Sequence, residues 1–439
     1  MNNAINELVN ICKSNINGNK AIGICSVCSS HSGVLDASIK QSKEDNSPLL
    51  IESTSNQVDQ FGGYTGMKPI DFMNYVKAKA EKFGYPTSKL IFGGDHLGPN
   101  RWQNENSDVA MEKACELVKT YVKAGYRKIH LDASMPLKDD NGHVDEITVA
   151  KRAAQLCKSA EEAWQPLSKK DCRPYYVIGT EVPTPGGIQQ SEGKIKPTPA
   201  YETENTRNIT KKIFDEYNLS DAWNRVIAMV VQPGVEYANN WVSDLESSAL
   251  LELNKEAEKY GNLVYEAHST DYQSESALTN LVQNHFVILK VGPWVSFAYR
   301  EGLYALEMIE QEVFKNSNVQ LSNLKNTVES VMLKDDSYWK KYCDGKTENE
   351  KYLQRHFGLS DRIRYYWTNK EIIKAQNLLF SNLENNPFEN DKGLISQFLP
   401  SLMDKFNENK LSFTRPNEIA EECVRIVLKK YHRASGFIC

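Results

Sequence analysis

The sequence predicts an α/β fold, a (β/α)8 TIM barrel followed by a C-terminal helical appendage. Short runs rich in Val, Ile and Leu recur through the first part of the chain. Most of the segments between them are long enough for a crossover helix, which is typical of a parallel sheet. From about residue 300 this alternation stops and helical segments follow. We therefore predict a barrel over residues 1–300 and a helical region over residues 301–439.

Eight apolar runs have the length and composition of buried parallel strands. Their aliphatic residues are not restricted to one face, as expected when helices cover both sides of a sheet. Eight strand–helix units are the number that closes a TIM barrel. The predicted strands lie at residues 21–29, 49–57, 90–98, 128–135, 175–183, 225–234, 263–272 and 286–293.

Helices are predicted where apolar residues recur at helical spacing. The opening stretch MNNAINELVNICKSN predicts a short amphipathic helix and not a signal peptide. Residues 109–125 predict a crossover helix that stops at Gly125, because glycine suits the left-handed cap of a helix. In the C-terminal region, helices are predicted at residues 301–314, 361–367 and 417–431.

The composition argues against two classes of partner. The 439 residues include 52 basic and 57 acidic side chains, for a net charge of −5, so no basic face for nucleic acid is expected. No apolar run approaches the ~20 residues that span a bilayer. Nine cysteines, an odd number in a long chain, favour reduced thiols. We predict a cytoplasmic protein that binds neither nucleic acid nor a membrane.

Polar side chains lie at the end of each predicted strand. Barrel enzymes carry their chemistry at the carboxyl ends of the strands, so these side chains are expected to converge at one end of the barrel, its mouth. Some of them have the alternative role of bonding the loop backbone. The polar strand ends contain Ser26, Cys28, Glu52, Ser53, Asp95, His96, Asp132, Glu181, Gln232, His268, Asp271 and Lys290.

Two histidines at strand ends suggest a divalent metal site. A metal needs ligands from different elements, and His96 and His268 are joined by Glu181 and Gln232 at other strand ends. A lone strand histidine is more often a core residue, and spacing alone leaves both interpretations open. The metal would polarise a substrate carbonyl and hydroxyl. Asp95 would then be placed for proton transfer.

Phosphate and substrate contacts are expected around the same mouth. Loops after the last two barrel strands often bind phosphate, while the glycine-rich stretch FGGYTGM (61–67) either forms an active-site loop or simply turns the chain. Lys290 has the alternative role of a buried charge paired with Glu52 or Asp132. The orientation of His130 on its strand stays open. The candidate substrate- and phosphate-binding residues are Glu52, Gly62, Gly63, Asp132, Ser269, Thr270, Asp271, Lys290 and Gly292.

A second glycine-rich stretch, GGIQQSEGK (186–194), does not fit a phosphate-binding P-loop. The P-loop has four residues between its glycines and Ser or Thr after its lysine. Here five residues separate Gly187 from Gly193, and Ile195 follows Lys194. The kinase interpretation therefore fails on spacing.

Nine stretches resemble the GatZ/KbaZ family, in order and without large gaps, from about residue 20 to about residue 432. They are ICSVCSSH, IESTSNQVDQFGGYTGM, GGDHLGPN, KIHLDASM, VIGTEVPTPGG, VVQPGVE, YEAHSTDYQ, ILKVGP and LSDRIRYYW. The resemblance implies a barrel with a helical C-terminal part. It also implies a subunit associated with class II tagatose-1,6-bisphosphate aldolase, supporting a catalytic chain of the GatY/KbaY type. A homo-oligomer is an open alternative.

The resemblance also implies a site. Class II aldolases carry an Asp-His pair like Asp95-His96, a Glu followed by paired glycines like Glu181, and further histidine ligands, one of which His268 resembles. Gln232 stands where another histidine ligand is expected. The implied cofactor is a divalent metal, zinc, held by His96, His268 and Glu181 with Gln232 as a fourth ligand.

Three functions follow from this reading. The first is an aldolase subunit that retains a site for C3–C4 retro-aldol chemistry on a ketose phosphate. Its catalytic residues would be Asp95 and Glu181, with Asp95 taking the proton of the C4 hydroxyl. The second is a 4-epimerase for fructose 6-phosphate and tagatose 6-phosphate, because some relatives are described as such. The third is a sugar-phosphate binding protein with a silent site.

Overall fold

The strands form the barrel that the sequence predicts. The computed structural model describes residues 4–18, 21–142, 144–167, 172–179, 195–385 and 391–438. The strands in these residues are β1 (Ile24–Val27), β2 (Leu49–Thr54), β3 (Leu90–Leu97), β4 (Lys128–Leu131), β5 (Tyr175–Gly179), β6 (Val226–Val230), β7 (Glu236–Tyr237), β8 (Val242–Ser243), β9 (Val264–Ala267) and β10 (Phe286–Val291). Eight of them close in the order β1-β10-β9-β6-β5-β4-β3-β2, and β7 pairs with β8. All neighbours in the barrel are parallel.

The barrel strands are shorter than the predicted runs, and several of them end just before a polar residue of the mouth. The strand β9, for example, ends at Ala267, immediately before His268. The strand β3 instead continues through Asp95 and His96 to Leu97, and Glu52 and Lys290 likewise lie within β2 and β10. In the described residues, the polar strand ends therefore lie partly within the strands and partly on the loops of the mouth, where a barrel carries its chemistry.

Helices surround the barrel and continue beyond it. The helices in the described residues are α1 (Ala4–Ile16), α2 (Ser32–Glu44), α3 (Pro69–Lys82), α4 (Ser107–Ala124), α5 (Glu146–Trp164), α6 (Ala200–Glu216), α7 (Ser220–Trp223), α8 (Leu251–Tyr260), α9 (Glu275–Gln283), α10 (Pro293–Val313), α11 (Leu324–Lys334), α12 (Glu348–Phe357), α13 (Lys370–Glu384), α14 (Lys392–Phe398), α15 (Met403–Asn407) and α16 (Pro416–Ala434). Gly125 caps α4 with φ 110°, as its position predicts. In the part of the chain described here, no helix is both long and apolar enough to cross a membrane.

The C-terminal helices pack directly on the barrel layer. The last helix, α16, packs against α10 and also against α2 and α9. The division at residue 300 stays a prediction, and α10 runs across that position. The helix predicted at residues 361–367 is instead a 3-10 helix, Arg362–Tyr365, preceded by Asp361 with φ 43°.

The amino-terminal helix α1 lies at the opposite end of the barrel from the mouth. It contacts β3, β6 and β10. Near its end, the Asn15 side-chain amide donates to the carbonyl oxygens of Ile22 and Val282, at 3.0 and 2.9 Å. The predicted amphipathic helix therefore covers the amino-terminal ends of the strands.

Candidate active site at the barrel mouth

A pocket opens at the carboxyl ends of the strands and brings together much of the predicted set. The predicted residues that line it are Asp95, His96, His268, Ser269, Asp271, Lys290 and Gly292. Arg364 and Tyr365 of the C-terminal region also line it. These two residues were missed as site residues, although the sequence stretch LSDRIRYYW contains both.

A distortion of β3 turns Asp95 and His96 toward the same place. Neighbouring residues of a regular strand point to opposite faces. Here the register between β3 and β4 shifts between Gly94 and Leu97, and His96 has φ 47°. Such a bulge re-aims side chains, and a left-handed residue other than glycine is strained. The bulge thus explains how two adjacent residues both reach the site.

Three imidazoles and one carboxylate form a compact cluster, which we call the histidine layer: Asp95, His96, His130 and His268. Each offers one ligand atom, and these atoms lie within 4.8 Å of one another. The ring centroids of His96 and His268 are 4.9 Å apart. All four residues are buried. Imidazole and carboxylate groups from separate elements are the donors that zinc and similar divalent metals prefer.

Carboxylates hold two of these rings in the orientation that a metal site needs. The Nδ1 atom of His96 lies 2.8 Å from Asp132 Oδ2, and Nε2 of His268 lies 2.9 Å from Glu266 Oε1. Metal-binding histidines usually donate their other N–H to such a group. A metal would then take Nε2 of His96 and Nδ1 of His268. The residues present therefore fit a divalent metal.

His130 joins the same layer but has its ring nitrogens directed at protein atoms. The backbone N–H of His96 donates to Nδ1 of His130 at 3.2 Å, and Nε2 faces the carbonyl oxygen of Gly179 at 3.3 Å. Burial lowers the pKa of His130. Nδ1 also lies 3.2 Å from Asp95 Oδ1. The tautomer with its proton on Nε2 accepts the His96 N–H and donates to Gly179, whereas the tautomer with its proton on Nδ1 donates to Asp95. The sequence left its orientation open, and the structure turns it into the site.

Beneath the histidine layer, buried charges alternate in sign. We call Glu52, Lys128, Glu266 and Lys290 the lysine layer. The Lys128 ammonium lies 2.7 Å from Glu52 Oε1 and 2.6 Å from Glu266 Oε2. Lys290 Nζ lies 3.0 Å from Glu52 Oε2 and 3.4 Å from Glu266 Oε1. Glu52, Glu266 and Asp95 could together hold a cation, and the ammonium groups of Lys128 and Lys290 already contact all three carboxylates.

The two layers meet at Asp95. Its Oδ1 lies 2.5 Å from Lys290 Nζ and 3.2 Å from His130 Nδ1. Burial opposes ionisation of Asp95, but the charges of His96 and Lys290 prevail and hold its pKa well below the usual range. Burial likewise lowers the pKa of His96, and Asp95 and Asp132 more than offset this. The site therefore keeps Asp95 ionised, as a base requires.

A family model described as D-tagatose-1,6-bisphosphate aldolase subunit GatZ/KbaZ-like matches residues 8–436. The chain belongs to this family. The proteins named D-tagatose-1,6-bisphosphate aldolase subunit GatZ from Salmonella heidelberg (strain SL476) and from Salmonella typhimurium (strain LT2) are each 45% identical to it over 410 residues. For each, the match covers 93% of this chain and 95% of the relative.

One solved structure is similar to this chain over nearly its whole length. The crystal structure of a probable tagatose 6 phosphate kinase from Sinorhizobium meliloti 1021 has a TM-score of 0.85 and 37% sequence identity. The match covers 94% of this chain and all of that one. The family resemblance inferred from the sequence motifs is therefore confirmed.

Several residues that the sequence predicts for the site form hydrogen bonds or ion pairs with other protein groups near the pocket. Gln232 Oε1 accepts the N–H of Gly234 at 2.8 Å. The hydroxyl of Thr270 donates to the Lys290 carbonyl at 2.6 Å. Glu52 lies in the lysine layer below the pocket, which matches the structural alternative for Lys290. Glu181 and the stretch 186–194 lie outside the described residues.

The glycine-rich loop shapes the pocket through its backbone. Gly62 and Gly63 have φ 111° and 57°. A Cβ on Gly63 would approach the Gln57 carbonyl oxygen to 2.3 Å, so this close approach requires glycine. The turn places Tyr64 in the pocket wall beside Gln57. Gly62 and Gly63 do not themselves line the described pocket.

Proposed function

We propose that this chain is a D-tagatose-1,6-bisphosphate aldolase subunit of the GatZ/KbaZ type that acts with a catalytic chain of the GatY/KbaY type. The observation that carries this proposal is the match of a single family model to nearly the whole chain. Relatives named as this subunit are 45% identical over 93% of the chain. A cytoplasmic location is part of the proposal, and the eight free cysteines of the described residues support it.

We further propose that the histidine layer is the reacting centre for a ketose phosphate. His96 and His268 would hold a divalent metal, zinc in this proposal, with Glu181 and Gln232 as additional ligands. The bound metal would supply Lewis-acid polarisation of the substrate carbonyl and an adjacent hydroxyl. Asp132 and Glu266 keep the two imidazoles oriented.

In this proposal Asp95 is the proton acceptor. Its ionised carboxylate takes the proton of the C4 hydroxyl as the C3–C4 bond of the ketose breaks. Lys290 remains paired with Asp95 and keeps the carboxylate charged until the proton arrives. The electrons of that bond pass to the remaining three-carbon fragment as an enediolate. When the aldehyde leaves and C3 takes up a proton, the outcome is aldol cleavage.

The retained site favours a second candidate, a stand-alone 4-epimerase for fructose 6-phosphate and tagatose 6-phosphate. An aldehyde that turns over in the pocket and rejoins inverts C4 with the same proton acceptor. A silent binding protein has no need for a buried base held ionised by Lys290, nor for two carboxylate-oriented imidazoles. The intact arrangement therefore supports chemistry by this chain.

Two measurements separate these functions. Co-purification with a GatY/KbaY-type aldolase, with aldolase activity that rises on adding this chain, supports the subunit role. Absence of both association and activation contradicts it. Conversion of fructose 6-phosphate to tagatose 6-phosphate by the metal-loaded chain alone supports the epimerase. With neither result, the silent binding protein is the function that remains.

A further inference from the structure

The usual phosphate cradle of a TIM barrel is already filled in this protein. Barrels often bind phosphate at the loops after the last strands and at a helix N-terminus. Here Asp271 Oδ1 accepts the backbone N–H groups of Gly292 and Trp294 at the start of α10, at 3.0 and 2.8 Å. The carboxylate takes the place that an anion would occupy, so a second anion there would meet a negative charge.

Lys290, the barrel cation that lines the pocket, is also already balanced. Its ammonium lies 2.5 Å from Asp95, 3.0 Å from Glu52 and 3.4 Å from Glu266. Three carboxylates around one ammonium leave no net positive charge for a phosphate. The phosphate of a ketose phosphate therefore needs a cation from elsewhere in the pocket.

Arg364 in the C-terminal region meets this need. Its guanidinium donates to the carbonyl oxygens of Ser360 and Asp361 and to the Tyr365 hydroxyl, all uncharged acceptors. A guanidinium has five N–H donors, so these three bonds leave two. Among the residues that the structure describes, Arg364 forms no ion pair. It lines the pocket together with Asp95 and His268.

The fold holds Arg364 firmly in this position. The carboxylate of Asp361, which precedes the 3-10 helix, accepts from Arg300 Nε at 2.9 Å and from the Ser296 hydroxyl at 2.5 Å. Both donors belong to α10, which follows the last barrel strand. The ring of Tyr365 also lies 5.0 Å from that of Tyr64 on the glycine-rich loop. The guanidinium is therefore pre-organised for a planar, two-bond contact with an oxyanion.

We propose that Arg364 binds the phosphate group of the ketose phosphate. The barrel then supplies the reacting half of the site and the C-terminal region supplies the anion-binding half. The identity of the substrate as a ketose phosphate rests on the proposed function, whereas the oxyanion contact rests on the geometry of Arg364 alone.

The test measures binding of fructose 6-phosphate, fructose and inorganic phosphate by calorimetry. In Arg364→Met, we expect the Kd for fructose 6-phosphate to rise by about 10- to 100-fold, because a charge-assisted two-bond contact is lost. Binding of inorganic phosphate weakens in parallel, while the Kd for fructose stays unchanged. Arg364→Lys keeps the charge but not the planar fork, so its effect is intermediate. Arg415→Met, at a half-exposed arginine away from the pocket, is the matched control and binds like the wild type.

The outcomes separate this inference from the proposed function. If Arg364→Met binds fructose 6-phosphate as the wild type does, the inference is wrong even where turnover is intact. If wild type binds phosphate through Arg364 but shows neither turnover nor activation of an aldolase chain, the subsite stands and the proposed function fails. Wild type that binds neither phosphate probe overturns the inference. Thermal midpoints without ligand identify a variant that fails to fold, and Arg364→Lys then decides: wild-type affinity contradicts the subsite.

Discussion

The lysine layer and the histidine layer are both buried clusters of charge inside one barrel, yet they are built for different purposes. In the lysine layer, Lys128 is fully enclosed and contacts two carboxylates. In the histidine layer, His96 and His268 border the pocket and each has one ring nitrogen held by a carboxylate. The first layer neutralises itself with protein charges, whereas the second presents oriented donors to a ligand.

The difference between the layers shows that the role of a buried charged side chain depends on which charged groups contact it. Burial raises the pKa of a carboxyl group unless an opposite charge compensates. Lys128 and Lys290 supply that charge to Glu266 and hold its pKa well below the usual range in spite of burial. A buried carboxylate that is paired with an ammonium group needs no further cation. An imidazole held by a carboxylate at one ring nitrogen can still bind a cation through the other. The four changes below test this distinction, from the largest expected effect to the smallest.

The largest effect is expected for Asp95→Asn, which removes the proposed base where the two layers meet. An amide cannot accept the C4 hydroxyl proton, so turnover of fructose 6-phosphate or of the aldol substrate falls by about 10²- to 10⁴-fold. The measurement is kcat of the metal-loaded protein, alone or with its aldolase partner. Asp139→Asn, at a carboxylate outside the pocket, serves as control. Unchanged turnover in Asp95→Asn would remove Asp95 from the mechanism.

Lys128→Met tests the lysine layer, where the expected loss is one of stability. The change leaves Glu52 and Glu266 buried with Lys290 as their remaining cation, and breaking a buried ion pair in this way costs about 3–5 kcal/mol. Urea unfolding measures the free energy of unfolding. The control is Lys255→Met, whose ion pair with Glu252 is exposed on both sides, and its midpoint stays at the wild-type value. A wild-type midpoint for Lys128→Met would show that Lys128 does not balance the layer.

Asp132→Asn tests how the histidine layer is oriented. The amide still accepts from His96 Nδ1 but lacks the charge that makes the imidazole a stronger ligand. We expect metal affinity to fall by about 10- to 100-fold, as for other partners of metal-binding histidines. Competition with a chelator measures this affinity. Ser134→Ala perturbs the other oxygen of Asp132, with which Ser134 bonds at 2.8 Å, and we expect a smaller loss. Equal losses in the two variants would argue against a specific role of the Asp132 charge.

The effect that is smallest at neutral pH contrasts these imidazoles with His31, whose Nδ1 has no hydrogen-bond partner among the described residues. Its ring packs 4.5 Å from that of Tyr299 and 5.6 Å from that of Trp367. Burial lowers its pKa from 6.5 to about 3. The unfolded chain therefore takes up this proton near pH 6.5 and the folded chain only near pH 3, so the free energy of unfolding falls as pH decreases between these values.

We expect His31→Phe to make that slope shallower, because phenylalanine does not titrate. Chemical unfolding at a series of pH values between 6.5 and 4 measures it. A variant that keeps the full wild-type slope would show that His31 is not the group responsible. Restoring a histidine at this position returns the wild-type profile.

The sequence predicted the barrel because a parallel strand buried on both faces leaves a distinct signal. Runs of aliphatic residues ending in polar groups marked each barrel strand, and the family motifs agreed with them. The sequence also predicted that His96 and His268 belong together, since strand ends of a closed barrel converge. Their carboxylate partners, Asp132 and Glu266, depend on side-chain direction, which spacing alone does not determine.

Two features of the site could not be predicted from the spacing of residues in the sequence. The bulge in β3 depends on the left-handed backbone of His96. Histidine rarely adopts this conformation, so the residue type does not predict the bulge. Arg364 lies far along the chain from the strands, and its approach to the pocket depends on how the C-terminal helices pack. The stretch LSDRIRYYW resembles the family pattern, and this resemblance was the one sequence signal that could have pointed to Arg364 as a site residue.

The position of α1 has a consequence for handling the protein. Burial raises the pKa of the Cys12 thiol on this helix to about 12, and the charges of Lys128 and Glu266 reach it from inside the barrel. The helix α1 thus covers the end of the barrel interior in which the buried ammonium lies. Removing α1 would expose the amino-terminal end of the barrel interior to water. An affinity tag should therefore leave residues 4–16 intact.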